Sequence, residues 1–204
     1  VKPSVKRLEY ATLSWAKHAF SNTLSSKLSH LIIDSLFKFY KDQNSYNIII
    51  NTLTPFLKEE DPLCAYNFID SISDYARKFD FKYTADPTEL ILIVSKMVNS
   101  KEFNEIRIAA TSFLINLFDL PNELLKDSYK CKQTLSDITD IFNKLFTAIF
   151  EKIGSKISIS MFSKIMEDGN LYVHELMLIR IILSIYHKEI ITTKNSPLFK
   201  LLSL

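Results

Sequence analysis

The sequence predicts an all-α protein, a single right-handed stack of about four to five antiparallel helix pairs, with a compact irregular helical bundle as the second reading. Three observations point there. Five amphipathic segments end on an aromatic residue, at Tyr40, Tyr75, Phe118, Phe150 and Tyr186, at intervals of 35, 43, 32 and 36 residues. A helix, a turn and a second helix need a repeat of that order. Glycine is scarce, with only Gly154 and Gly169 in 204 residues. That is too few for the positive-φ turns of a strand-rich fold or for a loop that cradles phosphate. Finally, the prolines fall near segment ends, where they start or break helices.

The elements follow in order. Ser4 is the expected cap of a first helix to about residue 20, with Val5, Leu8, Thr12, Trp15 and Ala19 in one stripe. A second helix starts at Ser25 or Ser26 and runs to about Lys41, on a face of Leu28, Leu31, Ile32, Leu36, Phe39 and Tyr40. Asp42-Gln43-Asn44 makes a turn. A third helix covers residues 45–57, and Pro55 kinks it or marks its last turn. Asp61-Pro62 is a start signal, a side-chain cap with proline at the first helical position, for a helix to about Phe79. Residues 80–85 read as a loop between repeats, and Asp86-Pro87 repeats the start signal for a helix to about Val98.

Residues 102–118 form the next helix, which Pro121 stops, and 124–130 form a loose turn or a short helix. Residues 134–153 are the longest helix, with Gly154 where a left-handed cap is wanted. A short helix at 160–166, a tight turn at Asp168-Gly169-Asn170 and a last clear helix at 171–187 complete the order. Residues 188–204 read as a loosely packed tail of one domain spanning 1–204. The β-branched run Ile48-Ile49-Ile50 lies within helical spacing; Ile190-Ile191-Thr192-Thr193 fits helix or strand.

Apolar residues make up 47% and charged residues 24%, which is ordinary globular chemistry and argues against disorder. The net charge is +2, with acidic and basic residues interspersed and no block of like charge, so the footprint of a dedicated nucleic-acid binder is missing. Cys64 and Cys131 are far apart and lack CxxC spacing, as expected of two reduced thiols in the cytoplasm or nucleus. Apolar runs such as 108–118 are too short for a membrane span. With no leader ahead of the first helix and a Val-Lys-Pro start, the chain reads as part of a longer intracellular protein.

Two segments overlay on one another. Glu102-Phe103-Asn104-Glu105-Ile106-Arg107 runs on through Ala110 to Phe118, and Asp168-Gly169-Asn170-Leu171-Tyr172-Val173-His174 runs on through Met177 to Tyr186. Asp61-Pro62-Leu63-Cys64-Ala65-Tyr66 is a weaker third copy. An acidic turn, a β-branched residue, a basic residue and a small residue three positions on resemble the second helix of a HEAT repeat. The β-branched and small residues would face a neighbouring helix at close approach. The basic residue would reach an acidic turn of an adjacent repeat.

Short repeats with compact turns also resemble the tubulin-binding TOG and CLASP-type domains. That resemblance implies a non-enzymatic scaffold associated with microtubules or the cytoskeleton, with tubulin as partner. The only Trp lies within an expected helix, and the turns at 42–44, 58–61, 100–102 and 168–170 are mixed or acidic, which argues against a tubulin-facing edge.

Catalytic, cofactor and metal sites are not expected. His18, His30, His174 and His187 lack ligand spacing, and neither cysteine has a histidine nearby in sequence. Glu59-Glu60-Asp61 reads as cap and dipole partners of the helix that follows. The candidate partner-binding residues are Arg77, Lys78, Phe81, Lys82 and Tyr83, where aromatic and basic residues interleave at a helix end and loop. Protein contact is the preferred reading. The alternative is a nucleic-acid-binding domain that gathers Lys27, Lys38, Lys41, Arg77, Lys78 and Lys82 into one stripe.

Overall fold

A computed structural model of the chain describes residues 4–21, 26–58, 65, 66, 68–70, 72, 73, 76, 82–101, 103–169 and 171–192. The described residues are helical or in short connections, and none is in a strand. The helices are α1 (Val5–Ser21), α2 (Ser26–Phe39), α3 (Gln43–Leu53), a 3-10 turn at Thr54–Lys58, α4 (Thr88–Val98), α5 (Asn104–Phe118), α6 (Glu123–Lys130), α7 (Leu135–Ile153), α8 (Ser155–Asp168) and α9 (Val173–Thr192). Positions 65, 66, 68–70, 72, 73 and 76 are helical as well.

Local chemistry accounts for the boundaries. Asp42 caps α3, its carboxylate accepting from the Ser45 amide at 3.0 Å and the Ser45 hydroxyl at 2.8 Å. The helix therefore begins two residues before the expected start. Pro55 lies beyond the end of α3, in the 3-10 turn at Thr54–Lys58; it brings no amide N–H and its ring crowds the carbonyl four residues back, so the regular α-ladder stops there. Asp86 accepts from the Thr88 amide at 2.9 Å and the Thr88 hydroxyl at 2.7 Å, fixing the start of α4. Thr134 caps α7 by accepting from the Asp137 amide at 3.1 Å.

Asp119, at φ 52 and ψ 56, supplies the left-handed residue that ends α5 ahead of Pro121. Gly169 does the same for α8 at φ 71, while Gly154 takes φ 81 and ψ 171, outside the expected left-handed cap. Gly154 is the sole residue between α7 and α8, so it must redirect the chain rather than coil it. With that start fixed, α8 is longer than the 160–166 segment read from sequence, and α9 continues through Thr192.

Among the described residues the core runs from α1 to α9. Leu8, Ile32, Leu36 and Phe37 contribute from α1 and α2, and Tyr46, Ile49, Ile50 and Leu53 from α3. The α2 face turns one step from the expected one: Phe37 is fully buried and Phe39 is 75% exposed. Helix α7 is the central element, in contact with α4, α5, α6, α8 and α9. Its Phe142, Phe146 and Phe150 stand at i, i+4 and i+8, all fully buried, with ring centroids 4.3 and 6.3 Å apart.

Sequential neighbours pack together from α4 through α9, and α1–α3, α5–α7 and α7–α9 meet as next-but-one pairs. Helix α4 also touches α9, far later in the chain.

The two HEAT-like segments differ in burial. In α5, Ile106 and Ala110 are buried, whereas Val173 at the start of α9 is 66% exposed. Arg107 is fully buried and turned to its own helix start: Nη1 donates to the Ser100 carbonyl at 3.2 Å and Nη2 to the Asn104 side chain. It holds the α4–α5 connection.

Candidate functional site

Of the residues singled out from sequence, Arg77, Lys78 and Phe81 lie outside the described residues, as do Cys64, the Glu59-Glu60-Asp61 cluster and the side chains of Trp15, His18, Lys27 and His30. Lys82 and Tyr83 are described, in an extended segment laid along α3. Gln43, Asn47 and Asn51 of α3, at i, i+4 and i+8, form an amide row that grips it. The Gln43 amide donates to the Lys82 carbonyl and accepts from the Lys82 N–H at 2.9 Å. The Asn47 amide donates to the Thr84 hydroxyl at 2.7 Å and accepts from the Thr84 N–H at 3.2 Å. The Tyr83 hydroxyl donates to Asn51 and, at 3.4 Å, to the Asp86 carbonyl.

Burial first, then the Asp86 and Glu89 carboxylates, push the Tyr83 phenol up to about 12. Tyr83 is thus engaged inside the fold. The exposed Lys82 ammonium pairs with Asp119 at 3.6 Å.

Two other surfaces stand out. One is the head of α9. After the left-handed Gly169, Leu171, Tyr172, Val173 and Leu176 are all exposed, Tyr172 at 64%. The Tyr172 ring stacks on His174, centroids 5.8 Å apart and planes 18° from parallel. The Tyr172 amide donates to the Glu175 carboxylate at 2.9 Å, which locks the turn into the helix. Burial holds the His174 imidazole below its ordinary pKa; Glu175 opposes this and Lys96 adds to it.

The other is a groove of about 640 Å³. Its floor is one face of α5, where Glu105, Ile108, Ser112 and Asn116 recur at helical spacing. Tyr66 and Asp70, one turn apart, form one wall, and Leu125 and Tyr129 of α6 the other. The Tyr66 phenol is raised above its ordinary value, mainly by burial and then by Asp70, Glu105 and Tyr129. The Asn116 Nδ2 is buried without a hydrogen-bond partner.

Neither surface was singled out from sequence. The groove had a signal, polar residues at 105, 112 and 116 in step along one face of a largely apolar helix. The α9 head had one too, three apolar residues in a row straight after Asp168-Gly169-Asn170.

The chain matches no protein-family model, no curated protein and no solved structure. Among the described residues no group of three His, Cys, Asp or Glu converges as a metal site would require, and no helix is long and apolar enough to cross a membrane.

Proposed function

We propose that this chain is a non-enzymatic protein-interaction domain of a larger intracellular protein, and that the head of α9 is its contact surface. The observation that carries this reading is the run of exposed apolar side chains at Leu171, Tyr172, Val173 and Leu176. Clustered exposed apolar residues are costly to leave in water and are the composition of interface centres. Tyr172 is already held by its stack on His174, so little side-chain entropy is lost on contact. A cytoplasmic or nuclear setting goes with this reading, since the Cys131 thiol is free.

The architecture belongs to the same proposal. Packing between sequential and next-but-one helices supports a HEAT-like stack. The α4–α9 contact and the central position of α7 favour the irregular bundle, because strict stacking joins near neighbours only. Either arrangement displays the α9 head on a rigid support.

The test is affinity capture with the full chain beside a Tyr172→Ser/Leu176→Ser double variant of equal helicity. A protein retained by the first and lost by the second supports the reading, and purified tubulin is included as a named candidate. Retention of DNA or RNA with a steep fall in affinity between low and moderate salt would replace it with the nucleic-acid reading.

A further inference from the structure

The groove on α5 is separate from the α9 head and has its own chemistry. Its described lining carries two carboxylates, Asp70 and Glu105, and no cation. Asp70 is already engaged within the protein, so Glu105, exposed in the first turn of α5, is the carboxylate that an incoming group meets. Tyr66 and Tyr129 offer ring faces, and Ile108 and Leu125 offer apolar surface between them. Asn116 adds a buried donor with nothing to donate to. A ligand that satisfies these has a cationic head near Glu105, an apolar stem and, about three helical turns further along α5, a polar backbone near Asn116.

We propose that this groove takes a lysine or arginine side chain of a partner polypeptide, with the cation on Glu105 between the two tyrosines and the flanking backbone running along the α5 floor towards Asn116. The ammonium or guanidinium finds charge-assisted hydrogen bonds and ring faces, and its methylene stem lies along the apolar floor. The negative field that helps hold the Tyr66 phenol protonated is the field that draws a cation in. A volume of about 640 Å³ exceeds one side chain and leaves room for the flanking backbone. The inference rests on the reading that the domain binds protein, but on a different surface from the α9 head.

The test uses the full chain and a fluorescein-labelled peptide, Gly-Ser-Arg-Lys-Ser-Gly, read by anisotropy, beside the same peptide with glutamate at both basic positions. The basic peptide is expected to bind and the acidic one not. Glu105→Gln is expected to weaken binding about tenfold, as loss of one charge-assisted contact should. Tyr129→Ala, at an exposed position, is expected to weaken it with circular dichroism unchanged. Equal binding of both peptides, no binding of the basic one, or an affinity unmoved by Glu105→Gln would overturn the assignment. So would spermine competing as tightly as the peptide, since the site would then belong to free polyamines. The Tyr172→Ser/Leu176→Ser variant should bind the peptide normally, so failure at one surface is distinguishable from failure at the other.

Discussion

The Tyr186 hydroxyl donates to the Phe150 carbonyl at 2.9 Å, and the same carbonyl accepts from the Gly154 amide at 3.0 Å. Both residues belong to the recurrence of terminal aromatics in the sequence. Phe150 is fully buried near the end of α7, and Tyr186 stands where α9 breaks from helical geometry, at φ −118 and ψ 22. The interval between them therefore has a physical meaning: it sets the register in which the last helix meets the central one. Tyr186→Phe keeps the ring and deletes the bond, and should cost about 1 kcal/mol in urea unfolding. An unchanged midpoint would show that the ring alone fixes the contact.

The amide row on α3 predicts a local effect. Asn47→Ala removes both bonds to Thr84 and should cost about 1 kcal/mol. Its sharper signature is hydrogen exchange: the Thr84 amide should lose protection while the α7 amides keep theirs. Equal loss at both places would make the 82–84 segment part of the global folding unit.

Ala110 is fully buried on α5. Ala110→Arg would force a charge and a long side chain into a close contact with no partner, at a cost of at least about 4 kcal/mol. Against a domain stability of about 5–15 kcal/mol, that should abolish most of the cooperative helical signal on mild warming. A melting curve close to that of the native chain would place Ala110 at a wall that gives way.

His174 sets a pH dependence. Its folded pKa lies below the ordinary value of 6.5, because burial disfavours the imidazolium. The unfolded chain therefore binds a proton first as pH falls. The stability linked to the neutral ring is complete above that value and is lost as pH drops through it towards the folded pKa. Urea midpoints measured from pH 7.5 down to 5.5 should fall more steeply for the native chain than for His174→Gln. Parallel slopes would remove His174 as the cause.

The α4, α5 and α7 boundaries were legible because caps and breakers are local: Asp86, Pro121 and Thr134 act on residues within one turn of themselves. The length of α8 was not, because Gly154 adopts a backbone geometry that sequence periodicity does not encode. The face of α2 is ambiguous in sequence, because Phe37 and Phe39 both fit an apolar stripe and only packing against Tyr46, with ring centroids 6.0 Å from Phe37, chooses between them. Tyr83 reads as an exposed contact residue, since nothing in its neighbours announces a helix 32 to 39 residues earlier lined with Gln43, Asn47 and Asn51. The groove depends on three separate segments meeting, which a single stretch of sequence does not report.

The most direct test of the central claim is a photocrosslinker, p-benzoylphenylalanine, placed at Val173 of the full chain and irradiated in cell extract. Val173 is exposed beside Tyr172, so the probe sits in the surface without disturbing the core. A discrete higher-mass adduct is expected, one that protease destroys, nuclease leaves intact and Tyr172→Ser diminishes. An adduct removed by nuclease, or no adduct at Val173 alongside one at a control position elsewhere on the surface, would contradict it.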